Sequence, residues 1–324
     1  MSNQWIRVGA LVVAGASALA LASCGSTAPT ATKVNTTVIT GILPVADAGG
    51  FYTAEARGYF KQYGITPKTE IIAGGATLVP ALQSGAMNIG FSNIVSVLQA
   101  GQAHLPVECV AGTLRKPLQG ANLALVVSPK YASTITSASG LVGQKIAVNT
   151  LDNINQLVAD VWLAHHGVNP ASVTYVGINF PDMPAAIAQG QVAAAITDEP
   201  FTTIVVGAGA KVLDPHPYSL INPSPVFSCW LAATSWVNSH KTVVQDYVKA
   251  LNQATAYLDA HPDYLRSILP KYTSLSSALA NAIVLPTIVS SITTADLKVW
   301  QTPALKYGFL THSVNLNSLI AKLG

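Results

Sequence analysis

Charge is what this chain has least of. Only 10% of its 324 residues are Asp, Glu, Lys or Arg, against roughly 25% in an average soluble protein. Seventeen basic and fourteen acidic side chains leave a formal charge of +3. No cluster of Lys or Arg occurs, so the electrostatic footprint of a nucleic-acid binder is missing. There are three cysteines and no metal-type pairing of Cys with His, which excludes a structural zinc site of the usual spacing. Collagen-like and heptad repeats are absent, and a hydrophobic content of 50% excludes a disordered chain.

Long apolar runs are also scarce, although the mean hydropathy is +0.41. A spanning helix needs about 20 predominantly apolar residues. Ile71–Val107 lacks formal charge but is broken by Gly74, Gly75, Pro80, Gly85 and Gly101. Tyr272–Ala295 is rich in Ser and Thr and carries Asn281 and Pro286. Both read as soluble helices and strands. Val8–Ala22 is different. It follows Arg7, the first charge of the chain, and ends in Leu21-Ala22-Ser23-Cys24. A basic start, a short apolar stretch and small residues at the end form a secretory signal, and Cys24 stands where a bacterial lipobox has its lipidated cysteine. Residues 1–23 are therefore expected to be a lipoprotein signal peptide and 24–35 a flexible, small-residue tether. The mature protein is then extracytoplasmic and held to the membrane surface by lipid on Cys24. Disulfides persist in such a compartment. Cys109 and Cys229 are either two buried thiols or one bridge.

Beyond residue 36 the chain alternates. Strands are expected at about 36–43, 68–73, 88–91 and 106–112, with helices at 50–63, 77–84 and 93–100. After Pro117 the pattern starts again, with strands at 122–127, 144–149, 173–176, 193–197 and 211–213, and helices at 152–166 and 183–189. Residues 227–234 are strand-like, and the remainder reads as helices punctuated by Pro262, Pro270, Pro286 and Pro303. This is an α/β chain of two units with mostly parallel sheets. The expected division is 36–120 with 230–324 in the first lobe and 121–229 in the second. Two crossings make a hinge, and the cleft between the lobes is the expected binding site.

Four segments occur in order: DAGGFYTAEARGYFKQYGI at 47–65, GGATLVPALQSGAMNIGFSN at 74–93, GLVGQKIAVNT at 140–150 and MPAAIAQGQVAAAITDEPF at 183–201. Together they resemble substrate-binding proteins of ABC importers for nitrate, sulfonates, taurine and thiamine-type pyrimidines. The resemblance implies a two-lobed type II periplasmic-binding-protein fold with a helical C-terminal part. It also implies a small-molecule ligand, a membrane permease and a cytoplasmic ATPase as partners, no cofactor, no catalysis, and action as a monomer. The chain departs from the family's usual pattern at Gly85-Ala86-Met87-Asn88, at Ala193 and at Asp198, where an aromatic residue is usual. A lipoprotein sensor for a membrane receptor and an enzyme of the pyrimidine-precursor synthase type are the rival readings.

Loops after strands supply the site candidates. Asp47 either accepts a ligand N–H or caps a helix. One of Phe51 and Tyr52 is expected to line the pocket. Gly75, Ala76 and Thr77 put backbone N–H groups and a hydroxyl at a helix start, suited to a polar oxygen or simply to a tight turn. Ser92 and Asn93 precede a helix, as do Asn149, Thr150 and Asn153. Asp182, Asp198 and Glu199 complete the set, the last two as an adjacent carboxylate pair for an ammonium or aromatic N–H. Arg115 is a candidate partner for an anion or for Glu108. His165 and His166 lie about 100° apart on a helix and are not expected to share a metal. With acidic groups prevailing, an amine-bearing or N-heterocyclic ligand is favoured, zwitterions such as taurine included.

Overall fold

The computed structural model describes residues 35–324; the signal segment, Cys24 and nearly all of the expected tether lie outside the described residues. Eleven strands form two sheets within these residues. Strands β1 (Thr36–Ile42), β2 (Ile65–Ile71), β3 (Ile89–Asn93) and β4 (Val107–Arg115) belong to the first lobe, together with β10 (Val226–Ala233) and β11 (Thr287–Ile288), in the order β11-β4-β10-β3-β1-β2. The second lobe holds β5 (Leu123–Val127), β6 (Lys145–Val148), β7 (Thr174–Gly177), β8 (Ala194–Asp198) and β9 (Lys211–Asp214), in the order β7-β6-β8-β5-β9.

The sheets are mixed rather than mostly parallel. β1 runs parallel to β2 and β3, but β10 lies antiparallel between β3 and β4. In the second sheet β6 is parallel to β7 and β8, while β5 is antiparallel to β8 and β9. The cause is the double crossing. β4 leaves the first lobe from the end at which β10 re-enters it, so the two strands must run in opposite directions. Because β10 begins at Val226, the return crossing precedes residue 226 rather than lying at 229–230.

Helices α1 (Gly49–Ala56) and α2 (Tyr59–Gln62) occupy the span expected to be a single helix. Gly58, with φ 71°, breaks it, a left-handed conformation that glycine adopts without a steric penalty. Tyr52 and Phe60 are buried, with Tyr59 and Tyr63 packed beside them, whereas Ala56 is exposed. α3 (Gly75–Gln83), α4 (Ile94–Gln102), α5 (Ile154–His165) and α6 (Met183–Ala188) follow the strands as anticipated, within about two residues, and α7 (Phe201–Gly207) follows β8. α8 (Thr234–Ser239), α9 (Lys241–Ala260), α10 (Tyr264–Tyr272) and α11 (Thr294–Lys306) form most of the tail.

The tail returns to the first lobe. α9 packs on α1 and α2, α11 packs on α4, and β11 pairs with β4. Two places also touch the second lobe: α11 meets α5, and in the loop before β11 the Val284 carbonyl accepts from Asn122 Nδ2 while its N–H donates to Glu199. No helix among the described residues is long and apolar enough to cross a membrane. Cys109 and Cys229, on neighbouring strands β4 and β10, are joined in a disulfide with Cα atoms 5.7 Å apart.

Candidate functional site

The C-terminal ends of β1 and β3 face those of β6 and β8 across the gap between the lobes, which is where loops following parallel strands gather polar groups. On the first side stand Ala73–Gly75, Ser92, Asn93 and Ser96; on the other, Asn149, Thr150, Asn153 and Asn155. The sequence makes this juxtaposition locally. Asn93 caps α4 by accepting the Ser96 N–H at 3.0 Å, and Asn153 caps α5 by accepting the Ile154 N–H at 2.6 Å. Each cap satisfies a donor that the helix itself leaves free.

These side chains form two separate strings of hydrogen bonds, each crossing the cleft. Asn155 Nδ2 donates to Asn149 Oδ1 (2.9 Å), and Asn149 Nδ2 donates to the Ala73 carbonyl (3.1 Å). Asn153 Nδ2 donates to Thr150 Oγ1 (2.6 Å), while Asn153 Oδ1 accepts from Ser96 Oγ (3.4 Å). Gly75 packs so closely here that a Cβ would lie 2.6 Å from both Ser92 Oγ and Ser96 Cβ. Every member is uncharged, and buried Asn155 Oδ1 has no partner. Such a lining reads hydrogen-bond pattern rather than net charge. Beside it, Leu43, Pro44 and Ile71–Ala73 of the first lobe and Asn179–Asp182 of the second enclose a cavity of about 140 Å³.

A second cluster is built on three ionisable side chains and is buried. Lys116 Nζ lies 2.7 Å from Asp47 Oδ2, 3.0 Å from Asp198 Oδ1 and 2.9 Å from Asn122 Oδ1. It also sits 4.6 Å from the centre of the Phe227 ring. Burial pulls the ammonium down, but Asp198 and Asp47 outweigh it and hold Lys116 above its ordinary value. Asp198 is pushed well up, first by burial and then by the neighbouring Asp47, against the opposing pull of Lys116. Glu199 stands apart from this cluster. Its carboxylate accepts from the Thr203 hydroxyl and N–H and from the Val284 N–H, and burial raises it to about 7.

The expected residues therefore separate into groups. Gly75, Ser92, Asn93, Asn149, Thr150 and Asn153 come together at the cleft. Ala76 and Thr77 are exposed at the start of α3, and the Thr77 hydroxyl turns back to the Gly74 carbonyl. Asp182 is exposed at the cavity mouth. Phe51 does not line the cleft: it is packed among Phe60, Trp230 and Tyr247. Tyr52 is also internal, donating its hydroxyl to the Leu43 carbonyl and stacking on Tyr272. Asp47 and Asp198 meet the chain's own lysine, so the adjacent pair Asp198–Glu199 does not present two free carboxylates. Arg115 bonds to Asp296 and the Ser224 carbonyl, not to Glu108. Ser96, Asn155 and the role of Lys116 were not anticipated. Ser96 and Asn155 lie one turn or less inside helices whose caps were foreseen, so counting on from each cap would have found them.

Comparison with known proteins bears on the fold and the family. The NMT1/THI5 like family matches residues 46–264. The taurine-binding periplasmic protein of Escherichia coli strain K12 is 26% identical over 63% of this chain and 61% of its own length. The chain thus spans about three fifths of that relative. Among solved structures, the alkanesulfonate-binding protein SsuA of Xanthomonas axonopodis pv. citri bound to MOPS superposes with a TM-score of 0.71 at 19% identity, covering 88% of this chain and 98% of that one. The desulfurization enzyme DSZB shares the architecture at a TM-score of 0.60 and 19% identity, covering 88% and 96%. The fold is that of periplasmic binding proteins, and the chain belongs to the NMT1/THI5 like family.

Proposed function

We propose that this chain is the extracytoplasmic solute receptor of an ABC importer. It holds a small organic molecule between its lobes and delivers it to a membrane permease driven by a cytoplasmic ATPase. The observation that carries the reading is the uncharged amide and hydroxyl lining contributed from both sides of the cleft, in a family with a taurine-binding relative. Lys116 answers both Asp47 and Asp198, so a simple amine finds no free carboxylate pair there. A sulfonate-bearing zwitterion or an N-heterocycle suits the cleft better, since Asn and Ser side chains donate to oxygens and Asn155 Oδ1 accepts an N–H. An enzymatic reading has less support, because Cys109 and Cys229 are bonded to each other and neither is a free nucleophile.

The test is thermal unfolding over a panel of sulfonates, pyrimidines, amines and small anions. A ligand held at 100 times its Kd adds about 2.7 kcal/mol to the native state. Sulfonates or pyrimidines are expected to raise the Tm. Asn149→Ala is expected to weaken that ligand by roughly tenfold, since a lost buried hydrogen bond costs about 1–3 kcal/mol. Lys61→Ala, on an exposed helix face, is expected to leave it unchanged. If no member of the panel shifts the Tm, or if Asn149→Ala binds like the parent, the cleft is not the site.

Anchoring belongs to the same reading. In a bacterium that lipidates, the mature chain is expected to begin at Cys24 and to sediment with membranes, and Cys24→Ala is expected to stay unmodified. Intact-mass measurement of the mature N-terminus decides this.

A further inference from the structure

Lys116 lies where the chain crosses between lobes. Its main chain is pinned to the returning crossing: its N–H donates to the Pro225 carbonyl (3.0 Å), and its carbonyl accepts from Ser224 Oγ (2.6 Å). From this position the side chain reaches Asp47, just after β1 in the first lobe, and Asp198, at the end of β8 in the second. All three residues are buried, with Lys116 at 0% exposure. Next to them the Ala46 N–H donates to the Glu199 carbonyl, a further bond between lobes (2.7 Å).

Two carboxylates brought together out of water repel, and a single ammonium between them reverses the sign of the interaction. The gain depends on geometry, because Nζ meets both carboxylates only when the lobes are together. Opening the cleft would part Asp47 from Asp198 and leave the lysine with one carboxylate. The geometry points to Lys116 as an internal cation that closes the two lobes on each other, occupying the place between the Asp47 and Asp198 carboxylates that a ligand ammonium would otherwise take. Lys116 is then a specificity determinant: closure at this end needs no positive charge from the solute, and small ammonium ions are kept out. This inference deepens the receptor reading and rests on it. Its test uses no transported solute, so its failure leaves that reading standing.

The experiment measures the distance between spin labels on Lys61→Cys in the first lobe and Thr136→Cys in the second, both exposed positions. Cys24 is replaced by Ser so that only the introduced thiols react. With Lys116 present, a narrow distribution is expected, unaffected by n-propylammonium. Lys116→Ala is expected to broaden it and shift it to longer distance. n-Propylammonium, which replaces the atoms removed, is expected to narrow it again, whereas 1-propanol is not. The ion is also expected to bind the variant at least about tenfold more tightly than the parent, on the scale of one charge-assisted hydrogen bond. Should Lys116→Ala fail to fold, the neutral triple variant Lys116→Met, Asp47→Asn, Asp198→Asn serves in its place. Its distribution is expected to be broad and indifferent to propylammonium. A parent-like narrow distribution in either variant overturns the inference, as does equal rescue of Lys116→Ala by propylammonium and propanol.

Discussion

Replacing Lys116 by methionine is expected to lower the free energy of unfolding at neutral pH by about 3–5 kcal/mol, the range for removing one partner from a buried ionic group. Methionine fills nearly the same volume, so the loss reports charge rather than a cavity. It leaves Asp47 and Asp198 facing each other without a counter-ion. The loss is expected to shrink as the pH falls. The Asp198 carboxyl already lies well above the ordinary range because of burial and its neighbour, and removing the ammonium pushes it further up. A carboxyl whose native pKa exceeds its unfolded value binds more protons in the native state between the two values, so stability falls as pH rises through that window. Denaturant unfolding at neutral and at mildly acidic pH measures both effects. The triple neutral variant is expected to regain most of the loss, because a neutral buried group of similar shape carries no desolvation penalty for charge. If Lys116→Met unfolds like the parent at neutral pH, the cluster contributes nothing to stability.

Removing the disulfide is the second large effect. Cys109→Ala with Cys229→Ala is expected to cost about 2–5 kcal/mol. The bridge spans a sequence separation of 120, and the chain-entropy relation gives about 5 kcal/mol for a loop of that length as an upper value. The two strands it joins pair along their length, β10 lying between β3 and β4 at the centre of the sheet, so part of that ordering survives without it. The same bond ties the folding of the first lobe to an oxidising compartment. Chain produced under reducing conditions is expected to unfold at lower denaturant concentration and to recover the difference on oxidation. Equal midpoints for the reduced and oxidised proteins, with the thiol state verified by mass, would refute this.

The order of elements was legible in the sequence because each depends on local patterning. Strand–helix alternation placed β1–β9 and α3–α6, and capping residues such as Asn93 and Asn153 marked helix starts that the structure keeps. The four ordered segments pointed to the family, and loops after strands gave the uncharged half of the cleft. What failed, failed for non-local reasons. Phe51 sits on the same apolar helical face whether it meets a ligand or Trp230, and only the position of β10 shows that it meets Trp230. The one-helix reading of 50–63 missed Gly58 because a single glycine inside an apolar period does not announce a left-handed residue. The sheets became mixed through the double crossing, which no window of sequence displays. Whether two cysteines 120 residues apart pair was likewise undecidable, since strand order alone brings β4 beside β10. Charge was the deepest ambiguity. Residue types put Asp47 and Asp198 near the cleft, but a carboxylate offered to a ligand and one held by the chain's own lysine are spelled identically. Composition determined how few charges there are to place; only the tertiary structure, by folding the crossing segment inward between the lobes, decided that Lys116 meets Asp47 and Asp198 rather than leaving both carboxylates to a ligand.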